Sequence, residues 1–162
     1  MKIGLLSDTH NNIEITKKAI EIFKSNGVDI IIHSGDISSP KMLGLFKGRN
    51  CRFVLGNVDI DVELLNEKAG QMGFGPVEYT CDIKAGNKRI LVLHGNDVPV
   101  FRKAVESGEY DYIIKGHTHF FENYIRNNTR ILNPGCLYGG TEHTIVILDT
   151  ENNHVEKINV EI

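Results

Sequence analysis

The chain has 162 residues and a formal net charge of −3 at neutral pH. That length suits one hydrophobic core, so residues 1–162 are read as a single domain, and the slightly acidic balance argues against nucleic acid as a partner held by bulk electrostatics, which needs a basic face. No apolar run approaches the ~20 residues of a membrane span, and the first residues lack a charged segment followed by an apolar stretch and a small-residue cleavage site, so the expectation is a cytoplasmic protein without a membrane partner.

The elements follow in chain order. Residues 2–7 read as a buried strand. Ile13, Thr16, Ala19, Ile20 and Phe23 fall at helical spacing after Asn11-Asn12, a plausible cap, and Gly27 follows as a stop. Residues 30–33 form a second strand. Ser38-Ser39-Pro40 opens a helix through Met42, Leu43, Leu45 and Phe46, with proline tolerated in the first turn and Gly48 closing it. A third strand spans residues 52–55. This alternation of strand and helix implies parallel pairing. Residues 62–68 read as a short helix and residues 70–76 as a glycine-rich loop.

The second half changes character. Residues 79–84 and 88–93 flank Ala85-Gly86-Asn87, and residues 122–126 and 130–132 flank Asn127-Asn128; both are hairpin signals. A helix over residues 101–106 and a strand over 112–115 lie between them, and strands over 144–149 and 155–160 end the chain. The sum fits an α/β protein of two packed sheets, each covered by helices on its outer side. Cys51, Cys81 and Cys136 are odd in number and without Cys-x-x-Cys spacing, which argues against a disulfide framework.

Metal-seeking residues recur where the strand-like runs give out. Residues 2–7 lead into Asp8-Thr9-His10, residues 30–33 into Ser34-Gly35-Asp36, and residues 52–55 into Gly56-Asn57; the runs ending at Leu93 and Lys115 lead into His94 and into Gly116-His117-Thr118-His119. Open α/β sheets bind ligands beyond the carboxyl ends of their strands, so these ends can deliver polar side chains to one place. On an extended segment, residues two apart project to one side, so Asp8 and His10 can reach one ion together.

The succession DxH, GD, GN, H and GHxH resembles the calcineurin-like metallophosphoesterases. Ser7-Asp8-Thr9-His10 and the late Asn133-Pro134-Gly135-Cys136 bring it nearer to the small MJ/YfcE-type phosphodiesterases of archaea and bacteria. The resemblance implies a four-layer αββα sandwich of two mixed sheets flanked by helices. It implies two divalent metal ions, with Mn²⁺ first and Ni²⁺, Fe²⁺, Co²⁺ or Zn²⁺ as alternatives. Asp36 would bridge them, Asp8, His10 and His119 would complete one site, and Asn57, His94 and His117 the other; Asp36, Asn57 and His94 are carried as the catalytic residues. The implied activity is hydrolysis of a small phosphodiester by a metal-bridging hydroxide. The alternatives are a catalytically weak scaffold like the retromer subunit of the same fold, a phosphomonoesterase, or a nuclease. Small relatives often associate, so a homodimer is also expected.

One position departs from the larger relatives, which carry histidine after Gly-Asn where this chain has Val58. Valine cannot protonate a leaving oxygen, so the departure removes an acid without touching the metal ligands. Asp59 reads either as an orienting partner of a ligand or as a loop cap. His33 is expected to be buried and satisfied, His143 and His154 to lie at the surface, and Arg102 and Lys103 to form a solvated helix face.

Overall fold

A computed structural model describes residues 1–140 and 142–161. The first sheet orders its strands β10-β9-β1-β2-β3, and the second β4-β5-β6-β8-β7. In the first, β1 (Lys2–Leu6), β2 (Ile30–His33) and β3 (Cys51–Phe53) run parallel, while β9 (Thr144–Asp149) pairs antiparallel with both β1 and β10 (His154–Asn159). In the second, β5 (Lys88–Leu93), β6 (Tyr112–Ile114) and β8 (Thr129–Pro134) are parallel neighbours; β4 (Thr80–Ala85) and β7 (Phe121–Arg126) close the edges as antiparallel hairpin arms. Both sheets are therefore mixed, as expected from the alternating first half and the hairpin-rich second half.

The period-two side-chain alternation of the strands builds the layers. Ile3, Leu5, Ile30, Ile32, Val146 and Leu148 of the first sheet pack with Ile90, Val92, Tyr112, Ile114 and Leu132 of the second, forming the core between the sheets. The opposite face of the first sheet carries Leu6, Ile31, Ile145 and Ile147 against Ile15, Ala19, Ile20 and Phe23 of α1 (Ile13–Ser25). Leu91, Leu93, Ile113 and Ile131 meet Ala104 and Val105 of α4 (Val98–Ser107) on the far side of the second sheet. Strands buried on both faces read as continuous apolar runs. Gly4 interrupts one because the Phe23 ring lies on it: an added Cβ would come within 2.8 Å of that ring.

Local signals account for most element ends. The Asn12 side chain accepts from the Ile15 amide at the start of α1, and Asp97 does the same for Val100 in α4. Asn127 and Asn128 both adopt positive φ, +49° and +66°, the backbone that a two-residue type I′ hairpin requires. Two expectations change. The helix expected to run on from Pro40 breaks into α2 (Pro40–Leu43) and a 3₁₀ turn (Gly44–Phe46), because Gly44 is a weak helix former and Phe46 turns into the core beside Phe53. Conversely, α3 (Val62–Gln71) runs past Gly70, held by buried Leu65 and Ala69; the loop expected beyond it is present, with its Phe74 ring packed against Phe53.

Candidate metal centre

The carboxyl ends of β1, β2, β5 and β6, with the turn after β3, bring the seven expected residues into one cleft between the sheets. Asp36 sits at its centre. One carboxylate oxygen, Oδ2, is 3.4 Å from His10 Nε2, and the other, Oδ1, is 3.4 Å from His94 Nε2. Asp8 Oδ1 lies 3.3 Å from His119 Nε2 and 3.9 Å from His94 Nε2. On the His94 side, Asn57 Oδ1 is 3.1 Å from His94 Nε2 and 3.0 Å from His117 Nδ1. Potential ligand atoms of Asp8, His10, Asp36 and His119 all fall within 4.8 Å of one another.

Reaching these positions costs backbone strain. Asp8, His10, Asp36, His117 and His119 have φ between +39° and +69°, a region that residues with a Cβ seldom occupy. Such strain of order 1–3 kcal/mol per residue persists only where the surroundings over-determine it, and it concentrates at functional sites. The left-handed turn at His117 also answers how His117 and His119, two residues apart, face different neighbours. Their loop is held by hydrogen bonds: the His117 amide donates to Asp8 Oδ2 at 3.1 Å, and Asn133 Nδ2 donates to the Gly116 carbonyl at 2.8 Å and to Thr118 Oγ1 at 2.9 Å.

Glycine next to the ligands leaves them room. A Cβ at Gly56 would come within 2.1 Å of Asp36 Oδ1, and one at Gly116 within 2.0 Å of Ser7 Oγ. Either would drive these side chains out of the cleft.

Burial and charge pull the two carboxylates apart. Burial pushes the Asp8 carboxyl above its ordinary range, against the opposing pull of the Ser7 hydroxyl, His94 and His119. Burial acts on Asp36 in the same sense, but the hydrogen bond and charge of His94, the Val58 amide and His10 together outweigh it and hold Asp36 below that range. His94 is also buried, which alone would lower it; its contacts with Asp36 and the Ser34 carbonyl raise it instead.

The donor set fits a cation. Asp8 Oδ1 and His10 Nε2 are buried and have no hydrogen-bond partner, a costly state for polar atoms unless something positive lies between them. His94 Nδ1 approaches the Ser34 carbonyl at 2.8 Å and must carry the proton there. The Nε2 lone pair is thereby turned toward Asp36 and Asn57, the orientation that a metal-bound imidazole takes.

Residues outside the ligand set also shape the centre and its surroundings. His33 is fully buried, as expected, but also ties two ligand loops together: its Nδ1 accepts from the Gly35 amide at 3.3 Å, and its Nε2 meets Thr9 Oγ1 at 3.0 Å. Asp59 resolves as a loop cap whose carboxylate accepts from the Ser38 and Gly56 amides at 2.7 and 2.8 Å. Tyr138 packs its ring 4.8 Å from that of His10. His154 is exposed, but His143 is buried rather than at the surface; it stands just before β9, and its carbonyl accepts from the Val160 amide at 2.7 Å, which carries the β9–β10 pairing one step further. Cys51 and Cys136 are buried free thiols, with burial pushing Cys51 up to about 12, and Arg102 and Lys103 are solvated on α4.

A cluster of carboxylates and imidazoles at the carboxyl ends of two facing sheets defines a metal-dependent phosphoesterase. Residues 1–153 match the calcineurin-like phosphoesterase superfamily domain. Phosphodiesterase MJ0936 of Methanocaldococcus jannaschii is 33% identical over 99% of this chain and 100% of its own length. The solved structure of a novel archaeal phosphodiesterase superposes with a TM-score of 0.89 at 32% identity, covering 98% of this chain and 99% of its own. Fold alone is shared with the phosphoesterase YfcE of E. coli, with a TM-score of 0.71 at 18% identity over 99% and 100% of the two chains. The same holds for zinc-complexed Vps29 of Entamoeba histolytica, with a TM-score of 0.69 at 16% identity over 99% and 100%. The chain belongs to the calcineurin-like phosphoesterase superfamily and is a hydrolase of that class.

Proposed function

We propose that the protein is a phosphodiesterase working with two divalent metal ions. The observation that carries this reading is the division of labour within Asp36, whose two oxygens face two separate histidines across the cleft. Asp36 is assigned as the bridge. Asp8, His10 and His119 would hold one ion with it, and Asn57, His94 and His117 the other. Mixed imidazole nitrogen and carboxylate or amide oxygen suits Mn²⁺, Fe²⁺, Co²⁺, Ni²⁺ or Zn²⁺ better than Ca²⁺, with Mn²⁺ preferred. When bound, a metal pair acidifies water to a hydroxide nucleophile near neutral pH and neutralises the charge that builds on the phosphoryl oxygens.

The chain's own residues supply the rest. Ser34 holds the His94 ring in the tautomer that leaves Nε2 bare. Asp8 receives the His117 amide and so ties the last histidine loop to the first strand. Val58 lends only its amide, to Asp36 Oδ1 at 3.1 Å, and has no proton to give a leaving oxygen. Substrates with acidic leaving groups should therefore be preferred. The presence of a ligand residue at all seven positions favours an enzyme over a retromer-like scaffold, and the net charge of −3 favours a small diester over nucleic acid.

We further assign the chain as one domain over residues 1–162, cytoplasmic and homodimeric; chromatography with light scattering tests the last. No helix among the described residues is long and apolar enough to cross a membrane. Purified protein with added Mn²⁺ should hydrolyse bis(4-nitrophenyl) phosphate faster than 4-nitrophenyl phosphate. Asp36→Ala should reduce turnover to background with its circular dichroism preserved. An inert metal-loaded wild type would sink the reading, monoester preference would make the protein a phosphomonoesterase, and salt-sensitive binding and cleavage of oligonucleotides would make it a nuclease.

A further inference from the structure

Next to the centre, on the side of His10 and His119, lies a cavity of about 450 Å³ lined by His119, Phe120, Cys136, Tyr138, Gly139, Gly140 and Glu142. That is within the size range of small-molecule sites. Two of its walls are aromatic side chains that the fold leaves in water: Tyr138 is 51% exposed and Phe120 is 74% exposed. Neither serves the core.

The base of Tyr138 is nonetheless fixed. The Leu137 amide donates to the Asp8 carbonyl at 3.2 Å, Asn12 Nδ2 donates to the Leu137 carbonyl at 2.7 Å, and the Cys136 thiol donates to the Tyr138 carbonyl at 3.2 Å. An exposed ring on an anchored backbone, packed against His10 with centroids 4.8 Å apart and planes tilted by 46°, is a wall held in place before anything binds. Phe120 follows His119 directly and is placed by the same turn.

Charge narrows the occupant. Among the described residues lining the cavity there is no lysine or arginine, and Glu142 is already engaged by Lys157 Nζ at 2.6 Å. A second phosphate or carboxylate would find no unpaired cation among these lining residues, since Lys157 beside them is already held by Glu142. An uncharged flat ring would find two π-faces.

We propose that this cavity is the subsite for one ester group of the substrate, that this group is a planar aromatic ring, and that Phe120 and Tyr138 determine specificity by stacking on it. The proposal rests on the phosphodiesterase reading of the adjoining centre and adds the substrate class: a diester of phosphate in which at least one alcohol carries an aryl or heteroaromatic ring. His119 belongs both to the ligand cluster and to the cavity wall, so the two sites adjoin.

The test is calorimetric titration of Mn²⁺-loaded protein with phenyl phosphate, methyl phosphate and inorganic phosphate. Aromatic stacking should make phenyl phosphate bind roughly 5- to 50-fold tighter than methyl phosphate. Tyr138→Ala and Phe120→Ala should each erode that ratio while inorganic phosphate binds as before, and Tyr138→Phe should restore it. Adenosine 5′-monophosphate against ribose 5-phosphate extends the comparison to a nucleobase. A wild-type ratio near one overturns the subsite, as does a ratio that survives both alanine substitutions. A shift to monomer in the alanine variants without any change in the ratio makes the patch an interface between copies and also overturns it. Failure of the parent reading is separate and visible, because it is loss of bis(4-nitrophenyl) phosphate hydrolysis by the wild type.

Discussion

His94 at the end of the second sheet and Ser34 beyond the first are joined by a hydrogen bond of 2.8 Å from the imidazole Nδ1 to the backbone carbonyl. This contact links the two layers at the cleft and aims His94 at Asp36. It exists because Gly35 leaves space: with φ of +100°, a Cβ there would come within 2.6 Å of His94 Nδ1.

Gly35→Ala should therefore act on the metal centre as well as on the fold. The expected loss is about 1–3 kcal/mol of stability from backbone strain, together with a metal affinity lower by roughly 10–100-fold through the displaced imidazole. Urea denaturation of the metal-free protein and Mn²⁺ calorimetry separate the two effects. An alanine variant with wild-type Mn²⁺ affinity would show that the Ser34–His94 contact does not orient the ligand.

Asn133 is the equivalent brace for the other histidines. It is fully buried, and all its polar atoms are used: Nδ2 serves Gly116 and Thr118, and Oδ1 accepts from the Gly135 amide at 2.9 Å. Asn133→Ala leaves buried partners unsatisfied and should cost ~1–3 kcal/mol. Turnover of a diaryl phosphodiester should fall further than stability explains, with added Mn²⁺ restoring part of it. Wild-type metal dependence in this variant would reduce Asn133 to a purely structural residue.

Buried His33 predicts a specific pH dependence. Burial brings its folded value down to about 3 from an ordinary 6.5. Above the ordinary value the ring is neutral in both states and contributes no slope. Between there and about 3 the unfolded chain takes up a proton that the folded chain refuses, so stability falls as the pH is lowered, at up to ~1.4 kcal/mol per unit. Urea denaturation in EDTA at pH 7 and pH 5 should show this difference in the wild type and a smaller one in His33→Gln. Equal differences would mean that His33 does not stay neutral.

The layers were legible because burial on both faces leaves long apolar runs, such as those ending at Leu6 and Leu93, and because Gly86-Asn87 and Asn127-Asn128 carry turn chemistry. The seven candidate positions stand out in the sequence because each follows such a run, and the fold brings them together. What the pattern hid are contacts between segments distant in sequence. His33 and Thr9, or Asn133 and Thr118, reveal a brace only once the strands are side by side. The burial of His143 is hidden for a similar reason: nothing local to it announces that its backbone pairs with Val160. Tyr138 and Phe120 gave no periodic signal because they face neither core.

The measurement that bears most directly on the central claim is the number of metal ions per chain. Protein stripped with chelator, dialysed against excess Mn²⁺ and assayed by elemental analysis should hold two ions per chain, and Asp36→Ala should lose high-affinity binding of both. Retention of no ion by the wild type at saturating Mn²⁺, or of two ions by Asp36→Ala with unchanged affinity, would contradict the assignment of Asp36 as the group the two ions share.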